Sequence, residues 1–363
     1  MTYSSEGAER KPFFSICIPQ YNRTSFLLES LRSLQTQTFQ DFEVCVSDGG
    51  SDDGGTQDIL KFLETSGLRY TFERHPVNLR YDPNLRGALG LASGSFCILM
   101  GNDDSLASDT VLCDLAQALK SNCKPGVLIP NFADYRTGAV TRRVIKSRDY
   151  EGTPRTAVEH YRNLAFVSGL ILIRDRAQAH ATDAWDGSEM YQMFLASRII
   201  AEGYELLERD YVAVRKDIQI SGQLVDNYAR WPRIQPCKII ERRLPFMRLG
   251  RVVCDAVRPF TGSVYPELCF KVFWQLLCFS YAPWIVEYRR VQSWKYAAGV
   301  CLAMRPRNIL QGIALGWQRR VMVRVIYSIV TLAGLLVPIP VFDCGRQYFY
   351  RFAKSLFVKA AGF

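Results

Sequence analysis

Between residues 13 and 130 the chain alternates short apolar runs with longer stretches whose apolar residues recur at helical spacing. "FFSICIP" (13–19) predicts a buried strand, and Leu27, Leu28, Leu31 and Leu34 predict the helix that follows. "FEVCVS" (42–47) predicts a second strand, with Ile59, Leu60, Phe62 and Leu63 marking the inner face of the next helix. "LRYTFE" (68–73) predicts a third strand, then a helix over 84–93 and the strand "FCILM" (96–100). Val111, Leu112, Leu115 and Leu119 mark a further helix. Such alternation predicts a parallel α/β sheet covered on both faces, in which ligands gather beyond the carboxyl ends of the strands. "PQYNR", "SDGGSDDGG" and "GNDDSL" all fall at that edge. Beyond 130, "LAFVSGLILI" (164–173) predicts a buried strand, and "GSEMYQMFLASRII" (187–200) a helix with Glu189 in its first turn.

Charge divides the chain. Residues 1–230 carry 25 basic and 30 acidic side chains, whereas residues 231–363 carry 20 and 5, so the overall +10 comes from the second part. Five of the six tryptophans (Trp231, Trp274, Trp284, Trp294, Trp317) lie there too. The expected organisation is a flexible N-terminus over 1–12, an α/β domain over 13–230 and a basic, largely helical region over 231–363. The uncharged run Val325–Phe342 is broken by Pro338 and Pro340. A helix from Val325 to Leu336 would extend about 18 Å, short of a ~30 Å hydrocarbon core. "VFWQLLCFSYAPWIV" (272–286) is shorter and also holds a proline. These segments suit helices lying in the interface of an anionic membrane, with Trp at headgroup depth. The other reading is a soluble helical bundle. The joint segregation of charge and Trp favours the membrane surface, and no nucleic-acid recognition motif is found.

The eleven cysteines are scattered without a CxxC pair, which fits a reducing compartment, and the polar first twelve residues predict no signal peptide. With three dispersed histidines (His75, His160, His180), carboxylates are the better candidates for chemistry. Asp103 and Asp104 stand side by side at the end of a predicted buried strand. Like charges there repel and resist desolvation. They are either a solvated turn capping the next helix or a pair that awaits a cation.

"SICIPQYNRTSFLLESLRSLQTQTFQDFEVCVSDGGSDDGG" resembles the opening of the inverting family-2 glycosyltransferases, which have the GT-A fold, a Rossmann-like nucleotide-sugar-binding mixed sheet. "NLRYDPNLRGALGLASGSFCILMGNDD" resembles their next block, which ends in the metal-binding DXD-type motif. The resemblance covers roughly residues 13–215, in three motifs in order. It implies donor contacts at Pro19, Tyr21, Asn22, Arg23, Asp48, Ser51, Arg80 and Asn102, with Tyr21 and Asp48 serving the base. It implies a divalent ion, Mg or Mn, bridging the diphosphate to Asp103, with Asp104 as a second ligand or a helix cap. Gly101 stands where the motif has its first Asp. Inversion needs a base on the acceptor side, and Glu189 in "WDGSEMYQ" matches that place, with Asp186 in reserve. Gly49 and Gly50 would let backbone approach the ligand.

"LMGNDDSL" and "RYDPN" are most similar to bacterial O-antigen dideoxyhexosyl transferases of the abequosyl type. That implies a glycan acceptor linked to undecaprenyl diphosphate at the cytoplasmic face of the cell membrane. "DNYARW" (226–231) resembles the Q-x-x-R-W of processive synthases, with Asn227 in place of Gln. The competing classes are a nucleotidyltransferase, whose Gly-rich loop and Lys are missing from "IPQYNRTS", and a non-catalytic membrane-surface nucleotide-binding module.

Overall fold

The computed structural model describes residues 1–5, 10–220, 245–291, 294–345 and 348. The chain divides into two units, Met1–Asn227 and Tyr228–Phe363.

In the first unit eleven strands form one mixed sheet in the order β1-β4-β3-β2-β5-β10-β7-β11-β6, with β8 on β7 and β9 on β11. The strands are β1 Thr2–Ser4, β2 Phe14–Gln20, β3 Phe42–Asp48, β4 Tyr70–Arg74, β5 Phe96–Leu99 and β6 Ser105–Leu106. They continue with β7 Pro125–Asp134, β8 Val140–Thr141, β9 Arg148–Tyr150, β10 Ile171–Ile173 and β11 Glu205–Lys216. Its helices are α1 Thr24–Gln35, α2 Thr56–Thr65, α3 Tyr81–Gly90, α4 Val111–Lys120, α5 Pro154–His160, α6 Arg174–Ala179 and α7 Tyr191–Ala201. Strands β4, β3, β2 and β5 run parallel, as the alternation predicts. In β2, β3 and β5 the side chains are buried on both faces because Leu27, Leu31, Ile59, Leu63, Leu112 and Leu115 pack onto them, whereas alternate positions of β4 stay partly exposed.

Pairing of β2 with β5 stops at Cys17, two residues before Pro19, whereas pairing with β3 runs on to Gln20. Proline has no N–H to offer a ladder. The two strands part at their carboxyl ends and leave room between the motifs.

Three expectations need correction. Residues 1–12 are not wholly a flexible lead, because Thr2–Ser4 adds an edge strand to β4. Only Ile171–Ile173 of "LAFVSGLILI" is strand. Upstream, Gly169 turns with φ +78° and half-buried Arg143 binds the carbonyls of Asn163 and Phe166. Side-chain donors thus satisfy backbone that a ladder would otherwise pair. Finally, α7 begins at Tyr191, so Glu189 precedes the helix.

In the second unit α8 is Pro245–Val257, and α9 is a continuous helical stretch, Gly262–Arg290. Then come α10 Trp294–Ala303, α11 Pro306–Ile309 and α12 Trp317–Leu336. Pro283 does not end α9, against expectation. A π-helical segment, Leu276–Tyr281, lies just before it and absorbs the hydrogen bond that proline cannot make. Helix α9 is long and apolar enough to cross a membrane, yet 78% of its apolar window is buried within the structure. Helix α12 starts eight residues before the expected Val325 and spans about 30 Å. It ends at Leu336, where Val337 turns extended ahead of Pro338. Trp231 and "DNYARW" lie outside the described residues.

Candidate active site

The three polar motifs meet at the carboxyl edge of β3, β2 and β5, tied by their own side chains. The Asn22 amide donates to Asp52 Oδ1 (2.8 Å), and the Asp52 N–H returns a bond to Asn22 Oδ1 (2.8 Å). The Asn22 N–H donates to Ser51 Oγ (2.7 Å), and Ser51 Oγ donates to Asp48 Oδ1 (2.6 Å). Asn102 donates to Gln20 Oε1 (2.8 Å). Asn22, Ser51 and Asn102 therefore spend their polar groups on joining the loops, leaving recognition to their neighbours.

Asp48 is one such neighbour. Fully buried, it engages Ser51 through Oδ1, while Oδ2 has no hydrogen-bond partner and faces the Arg74 Nε at 3.7 Å. An orphaned buried carboxylate oxygen costs about 1–3 kcal/mol and suits a ligand N–H such as that of a nucleobase. Tyr21, 38% exposed, is the aromatic at the end of β2. Gly49 and Gly50 have another purpose than the one expected. A Cβ at Gly50 would stand 2.6 Å from the Val77 carbonyl carbon, and one at Gly49 would stand 2.9 Å from the Asn84 amide. Both admit protein rather than ligand.

The adjacent carboxylates take different parts. Asp103 Oδ2 meets Arg23 Nη1 at 2.5 Å, an ion pair joining the first motif to the third. Asp104 accepts from Ser168 Oγ through Oδ2 and from the Asp217 N–H through Oδ1 (2.9 Å). It does not cap α4, which begins at Val111, and both its oxygens belong to the scaffold. Burial, then the neighbouring Asp103, push the Asp104 carboxyl up to about 7. Burial also raises Asp103, against the pull of Arg23. Such a pair is short of positive charge.

Among the described residues no three His, Cys, Asp or Glu side chains form a ready metal cage. One carboxylate, Asp103, does suit a hard cation of the Mg2+ type, which takes one or two protein carboxylates and fills its shell with substrate phosphates and water. Gly101 is filled rather than missing: a Cβ there would lie 3.0 Å from Asp104 Oδ2 and 3.3 Å from Ser168 Oγ. Ser168 Oγ accepts the Gly101 N–H (2.8 Å), so Ser168 and Gly101 form one packed unit behind Asp103.

Glu189 lies between α3 and α7. Asp82, buried in the first turn of α3, accepts the N–H of Glu189 (2.9 Å) and of Tyr191 (3.3 Å). It caps α7 from another element and holds Glu189 at φ +58° just ahead of it. Burial, then the charge of Asp82, raise the Glu189 carboxyl above its ordinary range, while Arg80 works the other way. A raised pKa suits a general base. Asp186, the reserve candidate, is held by Arg86 in a two-pronged ion pair at 2.5 and 2.9 Å.

Among the described residues, five that are not glycine have positive φ: Asn22, Arg23, Arg80, Glu189 and Asp217. Four of them are candidate site residues, and the fifth donates to Asp104. Left-handed backbone costs about 1–3 kcal/mol per residue and collects at functional sites. Asp82, Ser168 and Asp217 were not singled out by sequence. An open depression of about 510 Å³ also borders Arg23, lined by Asp53 and Asp58, whose charge does not suit a diphosphate.

The mixed sheet with its helices is a GT-A-like fold, with the three polar motifs gathered at its carboxyl edge. Residues 15–177 match the model of glycosyl transferase family 2. It is 38% identical over 99 residues to abequosyltransferase RfbV of Salmonella typhimurium, covering 27% of this chain and 30% of that one. It is 33% identical over 99 residues to the GalNAc(5)-diNAcBac-PP-undecaprenol beta-1,3-glucosyltransferase of Campylobacter jejuni, covering 27% and 31%. The matched segment thus spans about a third of the length of these curated relatives. In fold the chain is similar to S. aureus TarS 1-349 in complex with UDP-GlcNAc, with TM-score 0.60, 16% identity and 90% of each chain covered.

Proposed function

We propose that this chain is a metal-dependent inverting glycosyltransferase. It moves a sugar from a nucleotide-diphosphate donor to a lipid-linked glycan in bacterial surface polysaccharide synthesis, at the cytoplasmic face of the cell membrane. The observation that carries the reading is the orphaned Asp48 Oδ2, one strand from β2 and two from the charge-deficient Asp103. One group wants a donor N–H and the other a cation, and a nucleotide diphosphate with a divalent ion supplies both. Asp48 and Tyr21 hold the base. Arg23 and Asp103 face the diphosphate and its ion, which would relieve charge growing on the leaving group. Glu189 takes the acceptor hydroxyl proton as that oxygen attacks the anomeric carbon from the side opposite the departing nucleotide. The acceptor class is supported by the relatives, one of which carries the undecaprenol diphosphate in its name. The basic second part supports work at an anionic surface.

The test is a thermal-shift screen of UDP-, GDP-, CDP- and dTDP-sugars with and without manganese, since ligand binding stabilises by mass action. One donor is expected to raise Tm only with the metal. No shift with any donor overturns the reading.

A further inference from the structure

Helix α12 is apolar on two opposite faces. Val323, Ile326, Val330 and Gly334 are buried. Val321, Val325, Ile329, Leu332 and Leu336 stand 45–67% exposed. At 3.6 residues per turn these five fall in an arc of about 80°, and no charged side chain lies within it. A surface helix ordinarily turns polar residues outward, and a continuous exposed apolar stripe marks a contact surface. Trp317, 74% exposed, stands at the head of the stripe. Exposed Trp294 stands at its foot, where its Nε1 donates to the Leu335 carbonyl (3.4 Å).

Beside the head of the stripe is a cavity of about 490 Å³ lined by Arg307, Leu310, Ile313, Arg320 and Arg324. Arg320 and Arg324, one turn apart, border the arc on the Trp317 side. Glu287, Asp343 and Glu267 pair with Arg290 and Arg319. Among the described residues no carboxylate pairs with Arg307, Arg320 or Arg324. Three guanidiniums sharing one cavity call for an anion, and their forked donors match phosphate oxygens.

We propose that α12 is the face on which this chain sits on an anionic bilayer, with a lipid phosphate in the arginine cavity and the stripe in the acyl boundary. The proposal rests on the membrane-surface part of the reading above and names the residues responsible. Charge complementarity selects the occupant: the stripe lies in the part of the chain with 20 basic and 5 acidic residues. Its end-placed tryptophans and flanking arginines match the layering of a headgroup region.

The experiment is flotation of the full chain with phosphatidylcholine vesicles, with and without phosphatidylglycerol. Val325→Asp with Ile329→Asp is expected to lower affinity for both vesicle types roughly a hundredfold. Arg307→Gln, Arg320→Gln and Arg324→Gln together are expected to cost roughly a hundredfold on anionic vesicles, about fivefold per arginine, and little on neutral ones. The proposal is overturned if the parent does not float, or if either variant floats as well as the parent. Stabilisation by pyrophosphate without any flotation would make the cavity a free-phosphate site and also overturn it. So would a dimer in sedimentation velocity that the aspartate pair dissociates without changing vesicle binding. Donor-induced thermal shifts on the same samples separate the two readings. Donor binding without flotation defeats the docking face alone, and flotation without donor binding defeats the enzymatic reading alone.

Discussion

At the carboxyl edge of the first unit's sheet, buried polar groups exceed the partners the protein gives them. Asp48 Oδ2 has no hydrogen bond and only a distant Arg74 beside it, and the charge of Asp103 disfavours that of Asp104. Along α12 the surplus is apolar, with five aliphatic side chains in solvent where charge would be expected. Both arrangements cost stability in the isolated chain, and each is relieved by a different environment. The first wants an anion carrying a cation and an N–H donor. The second wants hydrocarbon beneath a layer of phosphate. The chemistry of a site can thus be read from what each region leaves unmatched.

The comparison breaks first at Asp103. Asp103→Asn is expected to abolish detectable transfer and metal-dependent donor binding, with Tm little changed. Asp104→Asn keeps one acceptor oxygen and should reduce turnover less. Equal activity of Asp103→Asn and the parent at saturating manganese would remove the cation from the account. Next is Glu189→Gln, expected to lower turnover about 10²–10⁴-fold with donor affinity retained. A base must be ionised, so the parent's rate should fall with decreasing pH at a value above the usual glutamate range. Arg80→Ala removes a charge that favours the ionised form and should move that limb to higher pH. Asp82→Asn removes a charge that disfavours it and should move the limb lower. Opposite shifts in the pH–rate profile would show that Glu189 is not the titrating group.

Smaller effects should follow behind the cleft. Ser168→Ala strands the Gly101 N–H and Asp104 Oδ2, at a cost of about 1–3 kcal/mol. Gly101→Asp, which restores the first carboxylate of the motif, should destabilise by about 1–3 kcal/mol through overpacking against Asp104 and Ser168. Urea denaturation reads both, and a stable Gly101→Asp protein would mean that Ser168 does not fill that place.

These residues also show where sequence reading stops. The parallel strands β2, β3 and β5 were legible because buried apolar runs ended in polar motifs, so pattern and chemistry agreed. Motif order singled out Arg23, Asp48 and Asp103, and the structure brings Arg23 onto Asp103 and buries Asp48 beside them. Ser168 and Asp217 had no signal, since their role is to meet Asp104 from distant loops. Asp82 had no signal for the same reason: it sits in the first turn of α3 yet caps α7. "LAFVSGLILI" was read as one strand because an unbroken apolar run has no period to arbitrate. The decisive donor, Arg143, comes from more than twenty residues upstream. Burial lowers Arg143 to about 9, which fits a guanidinium enclosed by carbonyls and by Phe132 and Phe166.

The smallest expected effect is the sharpest test of the contrast, because it compares neighbours on one helix. Val330 is 2% exposed and faces the unit's interior, whereas Ile329 is 55% exposed on the bare stripe. Val330→Ser removes buried methyl groups and buries a hydroxyl, at a cost of about 2 kcal/mol or more. Ile329→Ser exchanges a larger apolar side chain for the same serine, so hydrophobicity alone would make it the worse change. Since the side chain already meets water, its effect on folding is expected to stay within about 0.5 kcal/mol. Chemical denaturation of the lipid-free chain measures both. A large loss at Ile329 would mean that the stripe is covered by protein in solution. The second region would then have no unmatched surface, and the contrast with the sheet edge would fail.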